Sequence, residues 1–226
     1  MRLRLLNIST LIFLLFIAAG QLQSANKTFT GVGSFSVAAR WNGGTLPVAG
    51  DNLRINGTCT YDNNPANNLI YGTLNVGFSV AATLQWVAGG TNTLNVTTVS
   101  STTAGSILNM TNGGTLQIRT SWATANQTFT PGTGTILWNV TGANSTLPAG
   151  IVTYNRLTTS VGTQTVTLGV NTAVSNNLNV AAGTFRASTF NITNNGTTTV
   201  NGTYYDQSNT GTVSYTHLTL PTNREV

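Results

Sequence analysis

Three aspartates are the acidic residues that could carry chemistry in the body of this chain. Asp51 and Asp62 both fall near the start of the repeats, and Asp206 comes much later. Hydrolysis of a glycosidic bond normally needs two carboxylates, one on each side of the bond. These positions supply no such pair. Asp51 is expected instead to cap a turn or to pair with Arg54, because aspartate favours turns.

Other residue types with catalytic or metal-binding chemistry are scarce. Cys59 is the only cysteine and His217 the only histidine, so neither a zinc site nor a serine triad can be assembled. A lone cysteine provides no disulfide framework, and Cys59 is expected to be a small buried side chain. Asp62, Asn63 and Asn64 offer oxygen ligands for calcium, but without a full carboxylate set. The sequence therefore predicts no catalytic, cofactor-binding or metal site.

Aromatic residues are the remaining candidates for ligand contact. Trp86 and Trp138 each end a short apolar triplet, and this position favours packing in the core. Trp122 and the pair Tyr204 and Tyr205 lie outside such triplets, and we take them as candidate exposed platforms for sugar rings. A row of platforms is not evident from their spacing.

The charge and composition narrow the class of protein. The chain contains nine Lys and Arg residues and four Asp and Glu residues, which gives a formal net charge of +5. The basic residues are scattered rather than clustered, so the sequence does not predict a nucleic-acid interface. Thr and Val favour strands, whereas Gly and Asn favour turns. This mixture predicts an all-β protein with many tight corners.

A regular internal repeat organises the chain. Apolar triplets with a polar centre recur at nearly constant intervals. The period of about 21 residues falls in the range that is typical of stacked repeat architectures. We predict a right-handed parallel β-helix, a β-solenoid with about 21 residues per coil, in which equivalent apolar residues form an internal ladder. The predicted ladder consists of Leu53, Leu74, Leu94, Leu116, Ile136, Leu157 and Leu178.

The alternative fold is a β-sandwich. A second set of apolar segments lies about half a period after the main triplets, and a sandwich built from short strands at 8–12-residue spacing would give a similar pattern. The sandwich offers no reason for seven triplets in register, so we favour the solenoid.

The ends of the repeat region are expected to be covered, because an open strand edge recruits other chains. Residues 26–52 are predicted to form an N-terminal cap, and residues 53–212 to form the coils. An aromatic lid and tight turns mark the cap. The residues expected to build it are Trp41, Gly43, Gly44, Pro47 and Asp51.

Both termini differ from the repeats in their residue composition. Residues 1–25 combine early arginines, a short apolar run and small residues, which is typical of a cleaved secretory signal. The run is too short to span a membrane, and no membrane span is expected after its removal. Residues 213–226 resemble a translated sequencing adapter. We therefore expect them to be non-native and to lie outside the fold, with the native chain continuing past Thr212.

The segment from Ser36 to Ile55 carries a resemblance to a known group. Its pattern Trp-x-Gly-Gly-x-x-Pro-x-x-x-Asp-x-Leu-x-Ile resembles the opening of large secreted repeat proteins from bacteria with type IX secretion. Segments such as 134–138 and 177–185 resemble the repeats of these proteins. The resemblance implies an adhesin-like β-solenoid that is exported to the cell surface or the extracellular space.

We therefore expect an exported, non-enzymatic scaffold that attaches to glycans or surface polymers through many weak contacts. Two alternatives remain open at this point. One is the N-terminal part of a secreted carbohydrate-active enzyme, either a polysaccharide lyase or a glycoside hydrolase, whose catalytic region lies downstream. The other is a self-assembling extracellular matrix protein. The oligomeric state is not predicted.

Overall fold

The computed structural model describes residues 24–62 and 69–205, and the backbone of residues 213–219. Within these residues the chain is nearly all parallel β structure, a solenoid of about seven turns with about 21 residues per coil. The strands are β1 (Asn26–Ser34), β2 (Asn52–Tyr61), β3 (Ile70–Val76), β4 (Thr83–Trp86), β5 (Thr93–Ser100), β6 (Ser106–Asn109), β7 (Thr115–Trp122), β8 (Gln127–Thr130), β9 (Thr135–Trp138), β10 (Ser145–Thr146), β11 (Thr153–Thr167), β12 (Thr172–Arg186), β13 (Ile192–Val200), β14 (Thr203–Tyr205) and β15 (Val213–Thr219).

The strands form two faces that meet at corners. On the first face the hydrogen-bonded order is β2-β3-β5-β7-β9-β11-β12-β13, and on the second it is β1-β2-β4-β6-β8. Long strands belong to both faces: β2 pairs with β3 through residues 53–55 and with β4 through residues 58–61. Every pairing between these strands is parallel, which confirms the solenoid. The β-sandwich alternative is wrong, because its sheets would be antiparallel.

The internal ladder forms over most of its predicted length. Its lower part pairs on consecutive rungs in the order Leu94, Leu116, Ile136, Leu157 and Leu178. All five side chains are buried. The reason is that strand residues alternate between faces, so the two apolar ends of each triplet point into the core while the polar centre points outward.

One step of the predicted ladder is wrong. Leu74 is buried and pairs with Leu53 as expected, but on its other side it pairs with Val99 rather than with Leu94. The coil from Leu74 to Val99 is therefore longer than the regular repeat. Besides the two ends of its triplet, strand β3 has a further inward residue, Tyr71, which pairs with Val96. An inward position outside the triplet allows a second register, and the triplet spacing indicates the wrong one.

The N-terminal boundary also differs from the prediction. Strand β1 pairs in parallel with β2 from Asn26↔Asn52 to Ser34↔Thr60, so the first rung begins at Asn26 and not at Leu53. The covering part is the segment that follows, with 3₁₀ turns at Ala38–Arg40 and Asn42–Gly44. Trp41 stands between these turns and is 2% exposed.

Trp41 closes the end of the core. Its ring lies edge-on to Phe29 and Phe35, with centroids 5.3 and 4.8 Å away, and its Nε1–H donates to the carbonyl oxygen of Phe35 at 2.8 Å. Gly43 and Gly44 adopt positive φ beside it, which permits the tight turn. Pro47 is buried in the same segment.

At the other end, β15 pairs in parallel with β13, from Ile192↔Val213 to Thr199↔Thr219. The expectation that residues 213–226 lie outside the fold is therefore not met by the backbone of 213–219. The physical reason is that the last rung presents an unpaired strand edge, which accepts the backbone of an extended segment. The expected signal segment and residues 220–226 fall almost wholly outside the described residues.

Asparagine side chains join successive coils at their corners. The Oδ1 atom of Asn56 accepts the N–H of Ser79 at 3.0 Å, and its Nδ2–H donates to the Ser79 hydroxyl at 2.8 Å. The Oδ1 atoms of three other asparagines accept an amide from the next coil in the same way. These pairs are Asn52 with Thr73 (2.8 Å), Asn144 with Thr165 (2.9 Å) and Asn171 with Asn191 (2.9 Å). Backbone groups that leave the strand ladder at a corner thus find partners.

Two core tyrosines provide a matched test of this packing. The Tyr61 hydroxyl donates to the carbonyl oxygen of Thr93 at 3.0 Å, whereas the Tyr154 hydroxyl is buried without a hydrogen-bond partner. Leaving a buried polar group unpaired is unfavourable. We expect Tyr154→Phe to raise the free energy of unfolding by about 1 kcal/mol, and Tyr61→Phe to lower it by about 1 kcal/mol. Urea unfolding of both variants measures this difference, and equal changes would contradict it.

The same pair predicts a pH dependence. Burial raises the pKa of Tyr154, and burial followed by the nearby Tyr71, Asp62 and Cys59 raises that of Tyr61. Above about pH 10, tyrosines ionise in the unfolded chain but not in the fold, so the free energy of unfolding falls as the pH rises. We expect this decline, measured by urea unfolding between about pH 9.5 and 11, to be less steep in Tyr154→Phe than in the wild type.

Candidate functional site

Trp122 is not the exposed platform that the sequence predicts. Its side chain is 6% exposed and packs edge-on against Phe129, with the ring centroids 5.1 Å apart. Its Nε1–H donates to Oε1 of Gln127 at 2.8 Å. Strand β7 places Trp122 opposite Val99 on an inward position. The prediction fails because Trp122 lies at the far end of a strand that turns a corner after its apolar triplet.

The two tyrosines at the end of the described coils differ from each other. Tyr204 is half-buried and stacks on Phe185, with the centroids 5.5 Å apart. Tyr205 is 44% exposed, and the guanidinium of Arg186 lies 5.9 Å from its ring centroid. Because Trp122 is in the core, the three predicted aromatic residues do not form one surface. Tyr205 is the member of the set that presents a ring to solvent.

The two described carboxylates serve the fold around the first coils. Asp51 is 3% exposed, and its oxygens accept the amides of Ala25 at 3.0 Å and Val48 at 2.9 Å. It therefore caps a turn, which is one of the two roles expected for it. Asp62 accepts the amide of Ser36 at 3.0 Å and also the hydroxyl of that serine.

Of the calcium ligands considered with Asp62, Asn63 and Asn64 lie outside the described residues, as does Asp206. Among the residues that the structure describes, there is no group of three or more His, Cys, Asp or Glu side chains that could hold a metal ion. Cys59 is fully buried, and burial, with a smaller effect of Asp62, raises the pKa of its thiol. A neutral thiol in the core is a poor nucleophile.

The second face presents a regular uncharged surface, which we call the grid. Its outward residues form two rows that pair from rung to rung on β1, β2, β4, β6 and β8. Neither row contains a charged residue. The first row is Val32, Thr58, Thr83, Ile107 and Thr128, and the second is Ser34, Thr60, Gln85, Asn109 and Thr130.

The dimensions of the grid follow from strand geometry. Successive rungs are about 4.8 Å apart, so five rungs extend about 19 Å along the solenoid, and the two rows are about 6.6 Å apart along each strand. The first row is β-branched throughout and holds exposed apolar side chains, Val32 at 67% and Ile107 at 36%. Methyl and hydroxyl groups are thus mixed along this row. Sequence reasoning missed the grid because only the inward residues repeat in type.

The first face carries a different feature, an elongated depression of about 430 Å³ that we call the glycine groove. It crosses several coils at the corner where each coil enters the first face. Its floor contains four glycines, and its sides hold hydroxyl, amide and guanidinium groups. The lining residues are Gly89, Gly90, Thr91, Asn112, Gly113, Gly114, Thr115, Thr133, Thr135 and Arg156.

The floor of the groove depends on residues without side chains. Gly113 and Gly114 have φ values of 98° and 80°, which glycine adopts readily. A Cβ atom at Gly114 would overlap the indole of Trp86, which is fully buried beneath it. Asn112 is held beside them by a bond from its Nδ2–H to the carbonyl oxygen of Trp86 at 3.0 Å. The Asn-Gly-Gly sequence signals a turn, but it does not reveal the groove.

Comparison with known proteins assigns no family to this chain. The sequence matches no family model, and no curated protein or solved structure is significantly similar to it. Among the described residues, no helix is both long enough and apolar enough to cross a membrane.

A pair of glycine substitutions tests the packing of the groove floor. Gly114→Ala places a methyl group against Trp86 at positive φ, and we expect it to lower the free energy of unfolding by about 2–4 kcal/mol. Gly89 also has positive φ but has no atom within 4 Å of a Cβ position. Gly89→Ala should therefore lower the free energy of unfolding by only about 1–2 kcal/mol. Denaturant unfolding followed by circular dichroism measures both, and a cost for Gly114→Ala no larger than for Gly89→Ala would refute the assignment.

Proposed function

We propose that the protein is an exported, non-enzymatic, adhesin-like scaffold that attaches to glycans or other polymers at the cell surface or in the extracellular space. The observation that supports this most directly is the grid. Ten outward residues without a charge stand in register on five rungs of a solenoid. Repeated equivalent positions suit a ligand that is itself repetitive.

The physical basis of attachment would be many weak contacts. Each threonine hydroxyl can both donate and accept a hydrogen bond, and its methyl group, like those of Val32 and Ile107, loses hydration when a flat polymer covers it. No single contact is strong. Contacts held in a rigid array act together, because the first one places the others at high effective concentration. The uncharged grid fits a neutral polysaccharide surface.

The self-assembling matrix protein is the second candidate, and one observation favours it. The terminal strand β13 accepts β15 as a parallel neighbour along most of its length. An edge that accepts one strand can accept a strand of another molecule. This candidate predicts fibres whose amount rises with protein concentration. The secreted-enzyme alternative would be favoured by a cluster of acidic and basic residues further along the native chain.

Binding to an insoluble neutral polysaccharide tests the scaffold proposal. The full chain is mixed with microcrystalline cellulose and chitin, and the bound fraction is measured after sedimentation. We expect retention of the wild type, and a reduction of at least about fivefold in the double variant Thr58→Lys/Ile107→Lys, because two long side chains would hold the polymer away from the grid.

A matched control places the same two charges on the other face. Leu137 and Asn179 are half-buried outward residues that are also two rungs apart, on β9 and β12. Leu137→Lys/Asn179→Lys should bind like the wild type. Equal losses in both double variants would refute the grid as the binding surface. No retention of the wild type on any neutral polymer would count against the scaffold proposal itself.

A further inference from the structure

We propose that the glycine groove is a second binding site, and that it takes an extended chain of acidic sugars, with Arg156 holding a carboxylate or sulfate group. The inference rests on the proposed function in that both concern surface polymers. It concerns a different face of the solenoid and a different ligand chemistry. The groove is lined by hydroxyl groups, one amide and one guanidinium, with no carboxylate among its lining residues.

The charge around the groove favours an anion. Residues 69–205 contain three arginines, Arg119, Arg156 and Arg186, and no Asp or Glu at all. The two carboxylates of the described coils, Asp51 and Asp62, lie near the first coil and accept backbone amides there. An acidic polymer approaching the middle of the solenoid therefore meets attraction without a compensating repulsion.

The register of the groove suits a chain that runs along the solenoid. Thr115, Thr135 and Arg156 are aligned on three consecutive rungs of β7, β9 and β11. At about 4.8 Å per rung they span about 10 Å, which is comparable with the length of a disaccharide unit. Two hydroxyls and one cation would therefore meet groups on successive sugars of one extended chain.

Arg156 is placed for this role. Its side chain is exposed, and its Nη1–H donates to the carbonyl oxygen of Thr133 at 3.3 Å, which holds the guanidinium at the side of the groove. A guanidinium has five N–H donors in a planar fork that matches a carboxylate or a sulfate. The bond to Thr133 leaves part of this fork for a ligand.

The glycine floor explains why a sugar would bind by hydrogen bonds here. At Gly89 the Cβ position faces open space, so the missing side chain leaves the backbone open to a ligand, whereas the Cβ position of Gly114 lies against Trp86 beneath the groove. No aromatic ring is among the lining residues to stack on a sugar face. Recognition would depend on hydroxyl and charged groups, and an acidic sugar supplies both.

Calorimetric titration of the full chain with hexagalacturonate at low salt tests this inference. We expect saturable binding that weakens as salt is added, and a loss of at least about tenfold in affinity for Arg156→Gln, since the charge-assisted bonds disappear. Arg156→Lys should lie between the two, because it keeps the charge and loses the fork. Arg54→Gln makes the same change of charge outside the groove, where the guanidinium lies over Phe78 at 3.9 Å, and should bind like the wild type.

Any of four results would overturn the inference. The first three are the absence of binding by the wild type, equal affinities of Arg156→Gln and the wild type, and equal affinities for hexagalacturonate and neutral cellohexaose. Oligothymidylate that binds as tightly and depends equally on Arg156 would show general attraction of anions and would overturn it too. None of these results bears on the scaffold proposal, which is tested by retention on neutral polymers and by the Thr58→Lys/Ile107→Lys variant.

Discussion

The whole structure depends on the hydrogen bonds that join each coil to the next in parallel register. Because equivalent positions lie directly above one another, a residue type suited to one rung must suit its neighbours. Inward positions are therefore filled mainly by Leu, Ile, Val and aromatic residues from Phe29 to Val200, with exceptions such as Cys59 and Thr198. Outward positions carry no such restriction. Their freedom allows one fold to present an uncharged grid on one face and a hydroxyl-lined groove on the other.

The inward constraint is also what makes the fold predictable. Triplets such as Ile136-Leu137-Trp138 and Leu178-Asn179-Val180 have their ends in the core and their centres outward, so their period reveals both the coil length and the lower ladder. The step from Leu74 to Leu94 cannot be predicted in the same way. Strand β3 has an inward apolar position, Tyr71, outside its triplet, and only the packed structure decides between the registers that this position permits.

The candidate sites are less predictable because they consist of residues that do not repeat. The grid joins residues at unequal spacings along the chain that share an outward position and the lack of a charge. Sequence spacing does not show where a strand bends around a corner, and for this reason it misplaces Trp122. The groove arises where Gly114 leaves room for the buried Trp86, and such a close approach requires the three-dimensional arrangement. Asp51 and Trp41 do lie at the closed end, although the first rung begins earlier than the pattern indicates.

The two faces are not equally continuous. Strand β8 pairs with β6 but not with β10, so between these coils the second face is interrupted while the first face continues through β7 and β9. Most other coils are joined on both faces. For a rod that carries tension between a surface and an attached polymer, this junction has the fewest parallel bonds to share the load. Under force, extension would therefore start at this interruption, and the coils on either side would separate from each other before they unfold.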